Sequence, residues 1–182
     1  LTIKDGDDLD ERFKHLQKSV QTYHKRRHRK NADCEATKAS AAVWSYEVKR
    51  GKNSGSWHPH VHCVWLCSEK PDQEKLSSEW HSITGDSFIV DVREITPGDP
   101  IKGFLEVFKY AVKFSDQPES DTWHCYETLK GRRLIGSFGD FFGIPEPDDL
   151  TDDPLEGLPF VEHFYNYIPS LKSYQKGNLR NV

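Results

Sequence analysis

At 182 residues, with 30% charged and 12% aromatic side chains, the chain is long enough for one domain, or one domain with a tail, around a substantial core. No apolar run approaches ~18 residues, which excludes a membrane-spanning helix, and the opening LTIKDGDDLD has neither the basic nor the apolar region of a signal peptide. The net charge of −4 is uneven: from Pro145 onward there are three basic and seven acidic residues, while positions 1–144 hold 22 of each.

The four cysteines (Cys34, Cys63, Cys67, Cys125) are scattered and read as reduced thiols, so a cytoplasmic location is expected. The absence of Met and the abrupt start on Leu-Thr-Ile are those expected of a piece of a longer protein.

In chain order, Leu1 to Ile3 reads as the remnant of a strand. From Asp7 to about Lys30, Leu9, Phe13, Leu16 and Val20 form a helical stripe, with Asp7 or Asp8 as N-cap. The end of this helix, Tyr23 to Lys30 (YHKRRHRK), holds five Lys/Arg and two His. It is either a phosphate-contacting patch or a solvated helix end. Ala39 to Arg50 alternates as a strand, GKNSGS (Gly51 to Ser56) turns, and His60 to Cys67 returns, making a β-hairpin. Pro71 to about Ile83 is helical and ends before Gly85. Ser87 to Ile95 is expected as a third full strand. Helices are expected from about Pro100 to Phe114 and around Trp123 to Leu129, then a Gly/Phe-rich strand or loop to Gly143. This order matches an α+β, ferredoxin-like fold: a central antiparallel β-sheet with helices packed on one face and the other face free for a site. Positions 1–144 are read as the functional domain, and 145–182 as an acidic, Pro-rich extension or strap.

Two constellations carry chemistry. The first is WHPHVHCVWL, Trp57 to Leu66. Side chains two apart leave the same face of a strand, so His60 and His62 project together while Val61, Cys63 and Trp65 face a core. Two neutral imidazoles side by side are half of a divalent-metal site. The second is LEVFKYAVKFSD, where Glu106, Tyr110 and Lys113 share one helix face. A cation near Tyr110 would favour its phenolate, and Glu106 can accept a proton. The competing reading of this segment is an ordinary amphipathic helix with an exposed Tyr and an ion pair.

HPHVH followed by E-x-x-K-Y-x-x-K-x-S-D resembles the HUH endonucleases, and more closely the rolling-circle plasmid replication initiators that carry a Glu four residues before a catalytic Tyr. GRRLIGSFG (Gly131 to Gly139) resembles the segment after the catalytic helix in such initiators. The resemblance extends from Leu1 to about Phe142. It implies a nickase and strand transferase acting on single-stranded or hairpin origin DNA, working beside a host helicase and replication proteins. It further implies Tyr110 as nucleophile, Glu106 as the activator of water or a terminal hydroxyl, and Lys113 as a phosphate-positioning cation. His60 and His62 would bind Mg²⁺ or Mn²⁺ with an acidic third ligand from the neighbouring strand, a position matched by Glu47. His58 is the runner-up ligand: its parity fits, but Pro59 is expected to break the strand there, which leaves it as a supporting or DNA-contacting residue. Candidate DNA contacts are Arg26, Arg27, Arg29 and Lys30 at the end of the first helix, Arg132 and Arg133, and Trp57, which either stacks on an unpaired base or belongs to the core. Competing readings are a single-tyrosine transposase, a relaxase, or a non-catalytic origin-binding domain with a structural metal.

Overall fold

The structure, a computed structural model, describes residues 1–28, 33–95, 105, 117–143, 164–168 and 173–177. Two compact units result, Leu1–Ile144 and Pro145–Val182.

Helix α1 (Leu9–Arg26) starts where the Asp8 side chain accepts a hydrogen bond from the Glu11 amide at 3.0 Å. That N-cap satisfies one of the donors every helix leaves open at its first turn. Its apolar stripe, Leu9, Phe13, Leu16 and Val20, is buried. Strands β1 (Ala39–Arg50) and β2 (Trp57–Cys67) form the hairpin, in a register that sets Glu47 opposite His60 and Ser45 opposite His62. Helix α2 (Gln73–Thr84) is capped by Asp72 and ends on Gly85, whose φ of 70° is the left-handed conformation that glycine adopts without a Cβ penalty. Helix α3 (Glu119–Leu129) begins a turn earlier than the spacing predicts, just after Pro118. Strand β3 (Ile135–Phe138) pairs antiparallel with β1, and Gly136 faces Trp44, where any Cβ would run into the indole.

The first unit is therefore α+β, with an antiparallel sheet ordered β2–β1–β3. Residues 1–6 run along the other edge of β2: Trp57 donates to the Gly6 carbonyl at 2.8 Å and Val61 to Leu1 at 3.0 Å. These bonds explain why Pro59 does not break β2, contrary to expectation. Its missing N–H points at that neighbouring segment, between the two bonded positions, so the β1–β2 ladder loses nothing.

One face of the sheet carries Trp44, Tyr46, Val48, Trp57, Val61 and Trp65, and the described helices pack there. Phe13 meets Tyr46 edge-to-face at 5.4 Å, and Tyr23 stacks on Trp65 at 6.0 Å. Two acidic side chains in this layer have close partners. The Glu35 carboxylate takes the Asp72 amide at 2.7 Å and Lys38 at 2.8 Å, and Glu79 takes the Tyr23 hydroxyl at 2.8 Å. Buried carboxylates without such partners would be strongly destabilising.

One further expectation differs from the structure. Ser87 to Ile95 forms no strand; a single backbone bond, Thr2 to the Ile89 carbonyl at 3.3 Å, joins it to the sheet side. Among the described residues its β-prone stretch has no partner long enough to sustain a ladder, and Phe88 and Ile89 are exposed. In the second unit, read from the sequence as an acidic, Pro-rich extension or strap, β4 (Phe164–Ile168) and β5 (Ser173–Gly177) pair as an antiparallel hairpin. No helix among the described residues is long and apolar enough to cross a membrane.

Candidate metal centre

The sheet face opposite the described helices displays Ser45, Glu47 and Lys49 from β1 and His58, His60 and His62 from β2, as the register requires. On it, Glu47, His60 and His62 bring one ligand atom each to within 4.8 Å of one another. A single carboxylate oxygen, Glu47 Oε2, lies against His60 Nε2 and 2.9 Å from His62 Nε2. Atoms that all carry lone pairs when deprotonated converge here. A proton or a cation must lie between them, supplied by an imidazole N–H or by a bound metal ion.

The surroundings favour the ligating forms. Burial pushes the Glu47 carboxyl up, but hydrogen bonds from His60 and His62 outweigh it and hold the group well below the usual carboxylate range. Burial lowers His60, with Glu47 only partly compensating, so its imidazole stays neutral. His60 Nδ1 lies 3.4 Å from the His58 carbonyl, a contact that leaves Nε2 to face Glu47. Such an outer hydrogen bond is the usual way a ligating imidazole is oriented. Side-chain exposure rises from 8% at His60 and 12% at Glu47 to 33% at His62, so the cluster opens on the His62 side. Two imidazoles and a carboxylate on a rigid hairpin fit a divalent cation with positions left for substrate oxygens.

His58 shares the face but not the cluster. Its Nδ1 pairs with Asp5, whose other oxygen meets Ser54, and its ring centroid is 5.5 Å from that of His60. Burial raises the Asp5 carboxyl, and hydrogen bonds from Ser54 and His58 bring it below its ordinary range. Asp5 went unnoticed in the sequence because nothing there announces that residues 1–6 flank β2. Lys49, which faces His58, was findable by counting two on from Glu47.

The expected DNA contacts divide differently. Trp57 is 2% exposed on the helix-covered face, with the Arg50 guanidinium 3.6 Å above its ring and His124 stacked at 5.4 Å. It is a core aromatic, without a free face for a base; its parity is opposite to that of His60. Arg132 pairs with Asp10 and lies over the Phe13 ring, so its charge is already matched within the fold. Arg133 is exposed and bonds the Ile135 carbonyl at 2.8 Å. Arg26 bonds Ser82 at 3.0 Å, and Arg27 stacks on Phe138 at 3.4 Å. These contacts lie with the helices and at the β3 edge, across the sheet from Glu47. Glu106, Tyr110, Lys113, Arg29 and Lys30 lie outside the described residues. No family model, curated protein or solved structure matches the chain.

Proposed function

We propose that the first unit is a metal-dependent, single-strand-specific DNA endonuclease of the HUH type, acting as a rolling-circle replication initiator. The observation that carries this reading is the convergence of Glu47, His60 and His62 on the sheet face opposite the described helices. The α+β architecture, with its described helices on the opposite face, is compatible with the ferredoxin-like sheet of that class. The spacing of Glu106, Tyr110 and Lys113 supplies the rest.

Glu47, His60 and His62 would hold Mg²⁺ or Mn²⁺. The bound cation would polarise the scissile phosphate and offset the charge developing on it. Tyr110 attacks phosphorus in line; the Tyr O–P bond forms, the P–O3′ bond breaks, and the 3′ oxygen leaves as a hydroxyl able to prime synthesis. The phosphotyrosine keeps the phosphodiester energy, so religation needs no nucleotide cofactor. Glu106 takes a proton from water or from a terminal hydroxyl in the closing step. Lys113 positions the phosphate or favours tyrosinate.

The test is an origin-derived single-stranded oligonucleotide incubated with Mn²⁺ or Mg²⁺. Nicking with a covalent protein adduct is expected, and Tyr110→Phe should abolish the adduct while leaving the fold and cation binding intact. An adduct that persists in Tyr110→Phe overturns the assignment. Cation binding without any adduct would instead favour an origin-binding domain with a structural metal.

A further inference from the structure

A second constellation lies across the sheet from the metal cluster. At the β3 edge, beneath the end of α1, a cleft of about 200 Å³ is walled by His24, Trp44 and Phe138 and rimmed by Lys25, Arg27 and His28. That volume is below the ~300 Å³ at which drug-sized ligand pockets begin, so it suits one planar ring system. Its walls are aromatic: His24 lies 4.4 Å from Trp44 and 5.3 Å from Phe138, centroid to centroid. Its rim is cationic, with the Arg27 guanidinium stacked on Phe138 at 3.4 Å.

His24 marks the cleft as more than a packing gap. It is 7% exposed, yet neither ring nitrogen has a hydrogen-bond partner among the described residues. A buried imidazole is normally satisfied, because leaving a polar group dry and unpaired costs about 1–3 kcal/mol. An apolar residue of similar shape would fill the same space without that cost. Aromatic walls, a cationic rim and an unmet donor–acceptor pair are together the recognition elements for a nucleotide: stacking for the base, cations for the phosphate, a polar group for the base edge.

We propose that this cleft holds one unpaired nucleobase of single-stranded DNA, its ring packed against the partly exposed Trp44 and Phe138 beside the Arg27 guanidinium and its polar edge toward His24, with the adjoining phosphate on Lys25, Arg27 and His28. The assignment rests on the nuclease reading above and extends it. β1 carries Trp44 on one face and Glu47 on the other, so a strand engaging both sites passes around the β3 edge of the sheet. The base in the cleft is then several nucleotides away from the scissile phosphate, and the cleft holds the strand without taking part in cleavage.

The experiment uses the full chain in EDTA, with a single-stranded oligothymidylate carrying 5-bromodeoxyuridine. Photo-crosslinking of the unmutated protein followed by peptide mapping should place adducts at Trp44, His24 or Phe138. Phe138→Leu should weaken binding roughly 5- to 100-fold, the range for losing one base–aromatic stack. Arg27→Gln should lower the slope of log affinity against log salt by about 0.7, the single-strand value for one phosphate contact. A duplex of the same length should compete poorly. Crosslinks confined to other segments, unchanged affinity and slope in both variants, or equal competition by duplex would each overturn the proposal. Because binding is read without a cation, its failure is separable from failure of the nuclease reading: an adduct at Tyr110 without cleft crosslinks removes the cleft alone, and cleft crosslinks without any adduct remove the nuclease alone.

Discussion

Glu47 is the residue on which the cluster turns, since a single oxygen faces both imidazoles. Glu47→Gln keeps the shape and one acceptor but removes the charge, and an amide is a weak ligand for Mg²⁺ or Mn²⁺. Cation affinity by titration calorimetry should fall by more than the roughly 10–100-fold that losing an outer-shell partner costs.

His24 gives a second prediction at this scale. Burial, reinforced by Arg27, pushes its imidazole down from 6.5 to about 4. An imidazole harder to protonate folded than unfolded makes the unfolded chain the better proton acceptor, so acid favours unfolding. This contribution is fully present above about pH 6.5 and is withdrawn as pH falls toward about 4; at 1.36 kcal/mol per pKa unit it amounts to something on the order of 3 kcal/mol. Urea denaturation between pH 7.5 and pH 5 (values bracketing most of the ~6.5 to ~4 window) should show the loss in the parent protein. In His24→Phe that part of the slope should vanish without loss of stability at the upper pH. An unchanged slope would mean that His24 is not the group that titrates.

At the scale of elements, α1 is tied to the sheet through aromatic contacts more than through its cap. Phe13 is fully buried and edge-on to Tyr46, so Phe13→Ala should cost about 3–5 kcal/mol in chemical denaturation, within the usual range for such truncations. Asp8→Ala should cost only about 1 kcal/mol. Comparable losses in the two variants would contradict this division. The same elements show what period and spacing can reveal. The stripe on α1 and the alternation of β1 and β2 are properties of residues against their own neighbours, and both were legible. Glu47 was named from the resemblance, and its pairing with His60 agrees with a hairpin loop of a few residues, which leaves few registers open. Pro59 was misjudged because its tolerance depends on the segment beside β2, a long-range fact. Ser87 to Ile95 has strand composition, yet a strand also needs a partner, and composition cannot supply one. Trp57 shows a different failure: nearness along the chain to His58 suggested nearness to the site, although alternation alone puts the two on opposite faces.

At the scale of the whole molecule, the question is whether cation binding and folding are coupled. The ligands come from two strands of one hairpin, so the cluster exists only when β1 and β2 are paired. A cation that binds the folded state alone stabilises it by mass action, by about 2.7 kcal/mol at a free concentration one hundred times the dissociation constant. For a domain of this size that corresponds to a rise of roughly 5–10 °C in melting temperature. The chain forms two compact units, so a single transition is not guaranteed for the whole of it. Tryptophan fluorescence resolves this, because all five tryptophans lie within the first unit and report its unfolding alone. Adding Mn²⁺ to the full chain should therefore raise the fluorescence-detected midpoint by that amount, and His60→Ala should melt at the same temperature with and without the ion. A midpoint in the parent protein that does not move at saturating Mn²⁺ would mean that Glu47, His60 and His62 converge for structural reasons alone, their charge settled by imidazole protons.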